Sequence, residues 1–236
     1  SGIWAPGVAA SSISDRPVVL SHDLVVELRP STHELIGRDQ IDIELPLRAT
    51  TVTFSISPTV KIERILLKTH PAASPATLSD TALSFTTEQV VQPPTQRVTV
   101  TLPGAHDGRV TLVWTYRGAI DDPPKEPRHL RFVTPSETAG HIGPEGVYLS
   151  SESQWYPDIE GSLSAYRLTA LVPRGWSVVT QGRKTEETTD GEHVSSTWVV
   201  SDRSEALTLV ANKFAVKSRA WKSRNGQLIE LATYFF

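Results

Sequence analysis

The chain has no cysteine and no methionine among its 236 residues. The first absence excludes disulfides, thiolate metal sites and cysteine nucleophiles. It leaves the compartment open, since oxidising compartments permit disulfides without requiring them. Without a methionine at the start, the chain is expected to be processed or trimmed. An excess of one charge is missing too: the formal net charge is -3, with no basic surface of the kind nucleic acid demands, so no nucleic-acid partner is expected. No run approaches the roughly 18 apolar residues of a membrane span, and no secretory signal pattern is visible. No segment of a dozen residues follows a helical period. Internal repeats and low-complexity tracts are absent.

What is present is period-two alternation. Leu20, His22, Leu24, Val26 and Leu28 recur at every second position, Pro30-Ser31-Thr32 supplies a turn, and Ile41, Ile43 and Leu45 interleave with Asp42 and Glu44. These predict a hairpin whose strands have one buried and one wet face. Short strands are predicted over 51–56, 60–68 and 83–85. Val98, Val100 and Leu102 make another, ended by Pro103-Gly104, and Val110, Leu112, Trp114 and Tyr116 the next. The segment 119–146 is long, proline-rich and irregular. A connection of that length is usually functional or mobile. Tyr166, Leu168, Ala170 and Val172, a Pro173-Arg174-Gly175 turn, and Trp176, Val178 and Thr180 predict two more strands. Val194 to Val200, Leu207 to Val210, and two strands around the Asn225-Gly226 turn complete the series. Short strands punctuated by turns predict an all-β, antiparallel β-sandwich with long irregular loops. Residues 1–17 read as an N-terminal tail or linker and 18–236 as the β-domain. The last residues, Leu231 to Phe236, stop in mid-strand, so the parent polypeptide is expected to continue.

The chemistry is sparse. Of the histidines at 22, 33, 70, 106, 129, 141 and 193, none forms a His-x-x-x-His pair. His129 and His141 share the irregular segment with Glu126, Glu137 and Glu145 but read as solvated loop groups, so no metal site and no zinc binding are expected. There is no Gly-x-Ser-x-Gly elbow and no phosphate-binding glycine loop. Ser150 to Ser153 read as a hydrogen-bonding loop, and Asp121-Asp122 and Asp158 to Glu160 as solvated turns. Trp114, Trp176 and Trp198 are core candidates. The most site-like feature is the polar Ser150-Ser151-Glu152-Ser153-Gln154 run leading straight into Trp155-Tyr156-Pro157-Asp158. Two large aromatics there either pack or offer a stacking face. No residue is assigned as catalytic.

Several stretches in order resemble the N-terminal domain of the gluzincin zinc aminopeptidases, the family of alanyl aminopeptidase and leukotriene hydrolase. These are His22-Asp23-Leu24 through Leu35-Ile36-Gly37 and Ile41, Leu112 to Gly118, Tyr148-Leu149 with Gln154 and Tyr156-Pro157-Asp158, Pro173 to Gly182, and Val210 to Val216. The resemblance implies a saddle-like β-sandwich, non-catalytic in itself, that packs on a downstream metallopeptidase domain of the same polypeptide. The zinc and the catalytic residues would lie in that domain, and no cofactor in this chain. It also implies that Gln154, with Glu152 second and Tyr156 beside them, meets the N-terminus of a peptide substrate at the shared cleft. A stand-alone module binding carbohydrate or protein through the Trp155-Tyr156 surface is the alternative.

Overall fold

The computed structural model describes residues 15–68, 80–123 and 138–235. The alternating segments become fifteen strands: β1 Val18–Arg29, β2 Glu34–Ile56, β3 Val60–Lys68, β4 Thr81–Ala82, β5 Phe85–Val91, β6 Pro94–Ala119, β7 Gly140–Gly143, β8 Gly146–Leu149, β9 Ser164–Pro173, β10 Ser177–Thr180, β11 Arg183–Asp190, β12 His193–Ser204, β13 Leu209–Asn212, β14 Ala215–Lys222 and β15 Leu228–Phe235. The only helical elements among the described residues are two 3₁₀ turns, Pro30–Thr32 and Ser151–Ser153. None is long and apolar enough to cross a membrane.

The strands form an all-β sandwich. Nine make the large sheet, in the order β11-β12-β9-β1-β2-β6-β3-β4 with β5 also on β6. Four make a smaller sheet, β10-β13-β8-β7, and β14 pairs with β15 apart from both. Among the described residues every pairing is antiparallel except β1 with β9, where His22 lies beside Tyr166 and Leu24 beside Leu168. That parallel join brings residues more than a hundred positions apart into register, which period-two alternation cannot foretell.

One apolar core unites both sheets. Leu24, Val26, Leu35, Ile41, Ile43, Phe54, Leu112 and Trp114 come from the large sheet, and Ile142, Leu149, Val178 and Leu209 from the small one. Each such side chain stabilises the fold by about 1.5–3 kcal/mol relative to exposure. The expected core tryptophans Trp114, Trp176 and Trp198 are all buried. Gly37 belongs to this packing. A Cβ there would sit 2.3 Å from the Tyr116 ring, so only glycine lets β2 pass that ring.

Strand boundaries differ from the expectation in several places, among them β5, which runs Phe85–Val91 where 83–85 was expected, and β4 and β8, which were not expected. β2 and β6 run on through the breaks predicted near residues 46–50 and at Pro103-Gly104. They do so by register shifts between Leu45, Ala49 and Thr51 and a left-handed Arg48 at φ 59°, because bulges absorb extra residues without ending a strand. β11, wholly exposed, carries no apolar alternation to mark it. β7 emerges from the segment read as irregular. The tail at 1–14, Pro124, Pro127, Pro135, His70, His129, Glu126, Glu137 and Phe236 lie outside the described residues.

Candidate functional site

The loop from Ser150 to Asp158 is built by its own polar groups. Ser150 donates to the Ala139 carbonyl from both its backbone N–H, at 3.0 Å, and its Oγ, at 2.7 Å. Ser153 Oγ and the Gln154 N–H close the 3₁₀ turn onto Ser150 and Ser151 at 2.7 and 3.0 Å. Gln154 then takes a left-handed conformation, φ 49°. A residue with a Cβ holds this shape only when its surroundings enforce it. Here the Ser57 N–H donates to the Gln154 carbonyl at 2.8 Å, and Thr95 Oγ1 donates to the Gln154 side-chain Oε1. Gly140 completes the support, since a Cβ on it would sit 2.5 Å from that of Ser153.

Trp155 and Tyr156 are core residues rather than a platform. Trp155 is 0% and Tyr156 4% exposed. Trp155 Nε1 donates to the Leu207 carbonyl at 3.4 Å, and the Leu207 N–H donates to the Tyr156 hydroxyl at 3.1 Å. Burial pushes the Tyr156 phenol far up, with the neighbouring Tyr166 and Asp158 adding to the effect. Trp155 and Tyr156 therefore do not offer the stacking surface expected of a carbohydrate-binding module: the rings anchor the loop. Asp158 ends the segment by bridging Ser55 of β2 through two backbone hydrogen bonds of 2.8 and 3.1 Å.

Above this anchor lies a cleft of about 520 Å³ bordered by Thr95, Gln154, an edge of Tyr156 and Asp158. Its lining carries three carboxylates, Asp158, Glu160 and Glu205, against one guanidinium, Arg97. A second guanidinium, Arg16, lies against Gly161 at the rim. Of the residues singled out in the sequence, Gln154 and Tyr156 border the cleft, while Glu152 is exposed on the 3₁₀ turn outside its lining.

Directly beneath is a cluster that linear reasoning missed. His22 Nδ1 lies 2.8 Å from Asp39 Oδ2, and both side chains are fully buried. His22 Nε2 faces Asp158 Oδ1 at 3.6 Å, too long for a hydrogen bond but close for a charge. Tyr166 stacks on the imidazole at 5.1 Å and Tyr156 meets it edge-on at 5.2 Å. Burial works against a charged imidazolium, but the two carboxylates outweigh it and hold the His22 pKa at about 9. Burial also pushes Asp39 up, and the imidazolium only partly offsets this. The available signal was that His22 and Asp39 each occupy an inward position of an otherwise apolar row. Asp158, read as a solvated turn residue, is instead the link between this pair and the cleft.

A second cluster was also missed. His33, which follows the Pro30–Thr32 turn in a left-handed conformation, Asp121 and His141 of β7 bring ligand-type atoms within 4.8 Å of one another. His141, expected to be solvated, is buried.

No family model matches this chain, and no curated protein does. Solved structures do match. A mutant M1 zinc metallopeptidase from Deinococcus radiodurans superimposes with a TM-score of 0.67 at 15% identity, over 92% of this chain and 47% of that one. The M1 zinc metallopeptidase from the same organism without that mutation gives 0.66 at 15% identity, over 93% and 47%. A two-domain M1 zinc metallopeptidase mutant bound to L-tryptophan gives 0.64 at 15% identity, over 93% and 48%. The fold is shared, and this chain spans about half the length of the structures it matches.

Proposed function

We propose that this chain is the non-catalytic N-terminal β-domain of a zinc aminopeptidase-like protein. In that reading its acidic cleft receives the N-terminus of a peptide substrate beside a downstream metallopeptidase domain, which carries the zinc. The observation that carries the recognition role is the charge of the cleft. Three carboxylates line it against Arg97, with Arg16 at the rim and Asp158 shared with His22 beneath, which leaves Glu160 and Glu205 to attract an ammonium group. Gln154 Oε1 accepts one hydrogen bond from Thr95 and, as an amide oxygen, has a second lone pair for a substrate N–H. Tyr156 supports from below, with its hydroxyl tied to the Leu207 backbone. Glu152 would contribute by reaching over the cleft from the turn. The match to half of a two-domain metallopeptidase supports a partner domain. So does the β14–β15 hairpin, which exposes Val216, Trp221, Leu228, Leu231 and Phe235, since apolar patches of that kind mark interaction surfaces.

The test is made in the full-length parent. Gln154→Ala is expected to lower kcat/KM by about 1.5–3 kcal/mol on free-amine peptides, the range for a hydrogen bond to a charged group. The loss should shrink on N-blocked substrates. Glu152→Ala is expected to cost less, because a side chain outside the lining makes a weaker contact. Equal losses on both substrate types, or none on either, would reject amine recognition and leave the loop structural.

A further inference from the structure

We propose that His33, Asp121 and His141 form a divalent-cation site of the zinc type, with Glu145 orienting one of its histidines. This is independent of the cleft and of the reading above, and it reverses the expectation of no metal drawn from linear spacing. The three ligands come from the end of the first hairpin, from the strand exit after β6, and from β7. Backbone bonds lace those segments together: the Ile120 N–H donates to the His33 carbonyl at 3.0 Å, the Ile142 N–H to Ile120 at 2.9 Å, and the Asp122 N–H to Gly140 at 3.2 Å. Asp121 and His141 also form an isolated antiparallel bridge. The positions are therefore preset by main chain rather than by flexible side-chain encounter.

Tautomers are preset too. His141 Nε2 lies 2.6 Å from Glu145 Oε1. A carboxylate can only accept, so this nitrogen carries a proton, and in the neutral imidazole Nδ1 keeps its lone pair. Nδ1 is buried, on a side chain only 7% exposed, and has no hydrogen-bond partner among the described residues. It faces Asp121 Oδ1 at 3.1 Å. Two acceptors at that separation repel unless a proton or a metal cation stands between them, and ligands 2.0–2.1 Å from a tetrahedral zinc lie about 3.3 Å apart. In His33, Nδ1 donates to the Ile142 carbonyl at 2.6 Å and stands 3.7 Å from Asp121 Oδ1, which leaves Nε2 as the nitrogen free to ligate. The two rings are 5.7 Å apart. A histidine whose far nitrogen is held by a carboxylate or a carbonyl is the usual supported metal ligand. Two histidines and one aspartate leave a fourth position for water. The site would pin the hairpin end of the large sheet to β7 of the small sheet. Gly140, next to His141, packs on Ser153, so the pin also braces the loop that carries Gln154.

The experiment is Zn²⁺ titration of the metal-stripped 236-residue chain by calorimetry, with elemental analysis after dialysis and Co²⁺ as a coordination probe. One equivalent is expected to bind, Co²⁺ should give a visible absorption of four-coordinate type, and the melting temperature should rise with metal concentration. His33→Ala and Asp121→Asn remove partly exposed ligands, so these variants should fold and lose stoichiometric binding. Glu145→Gln should weaken it roughly 10–100-fold. His193→Ala, an exposed histidine on β12, should change nothing. No stoichiometric binding, or binding that survives both His33→Ala and Asp121→Asn, would overturn the site and leave a proton between His141 and Asp121.

Discussion

His22 and His141 each lie between two carboxylates, Asp39 and Asp158 in one case, Asp121 and Glu145 in the other. Their surroundings differ. Around His22 one carboxylate is fully buried and the other 25% exposed, with two tyrosine rings closing the sides. Around His141 the carboxylates are 47% and 66% exposed, and a second histidine replaces the tyrosines. Deep burial with aromatic walls stores a proton, because no hydrated ion can enter and the charge must be supplied from within. A rim position with carboxylates open to water and two lone-pair nitrogens admits a cation. The same residue types thus do opposite work, and burial decides which.

The largest expected effect tests the closed cluster. Asp39→Ala leaves an imidazolium buried without its main partner, and breaking a buried pair costs about 3–5 kcal/mol. Urea denaturation should show this as a lowered midpoint. Replacing both partners, His22→Leu with Asp39→Leu, should restore most of the loss, since an apolar pair needs no charge compensation. A loss below about 1 kcal/mol for Asp39→Ala would mean that the pair is not ionised in the fold.

Next in size is pH. The folded His22 pKa is about 9 against 6.5 for an ordinary histidine. A raised value means the folded state holds the proton more tightly than the unfolded chain. Its contribution is therefore complete below about pH 6.5 and is lost as pH rises through about 9, a change of about 3 kcal/mol. Asp39, also raised by burial, acts in the same direction in the acid range: stability falls as pH climbs from its unfolded to its folded pKa. Denaturation midpoints at pH 6, 7.5 and 9 should decline in order, and the His22→Leu, Asp39→Leu double variant should flatten the profile. A flat profile in the unaltered chain would remove the proton-storage role from His22.

The two clusters also differ in how far the sequence revealed them. Period-two alternation placed β1, β9 and the two ends of β2, because one wet and one dry face must alternate, and the Asn225-Gly226 turn placed the last hairpin. His22 and Asp39 were legible in principle, since each interrupts an inward apolar row where a polar side chain requires a partner. Which partners they find depends on the parallel β1–β9 join and on Asp158 returning to Ser55, and neither has a local signal. His33, Asp121 and His141 are separated by 88 and 20 positions, counted from their residue numbers, so no spacing rule for a single element could gather them. Trp155 and Tyr156 show the converse. Their proximity to polar residues marked a loop that borders a cleft, but a sequence carries no information on which way a ring points once the chain leaves a strand.

The smallest expected effect sharpens the comparison most. Asp121→Asn and Asp39→Asn make the same chemical change in the two clusters. At Asp39 the amide must sit fully buried against a charged histidine, and stability should fall clearly. At Asp121 the side chain is 47% exposed, water can solvate either form, and a metal-free change should stay within about ±0.5 kcal/mol. The difference should open only when Zn²⁺ is added: the unaltered chain gains melting temperature with metal, and Asp121→Asn does not. Asp39→Asn, although less stable throughout, should keep the full metal-dependent rise, because its cluster lies on other strands and shares no ligand with the rim site. Distant sites without shared partners add independently, so the two substitutions combined should give the sum of their separate effects. A metal response abolished by Asp39→Asn would show that the two clusters are coupled through the core, and the division of labour between a buried proton and a rim cation would fail.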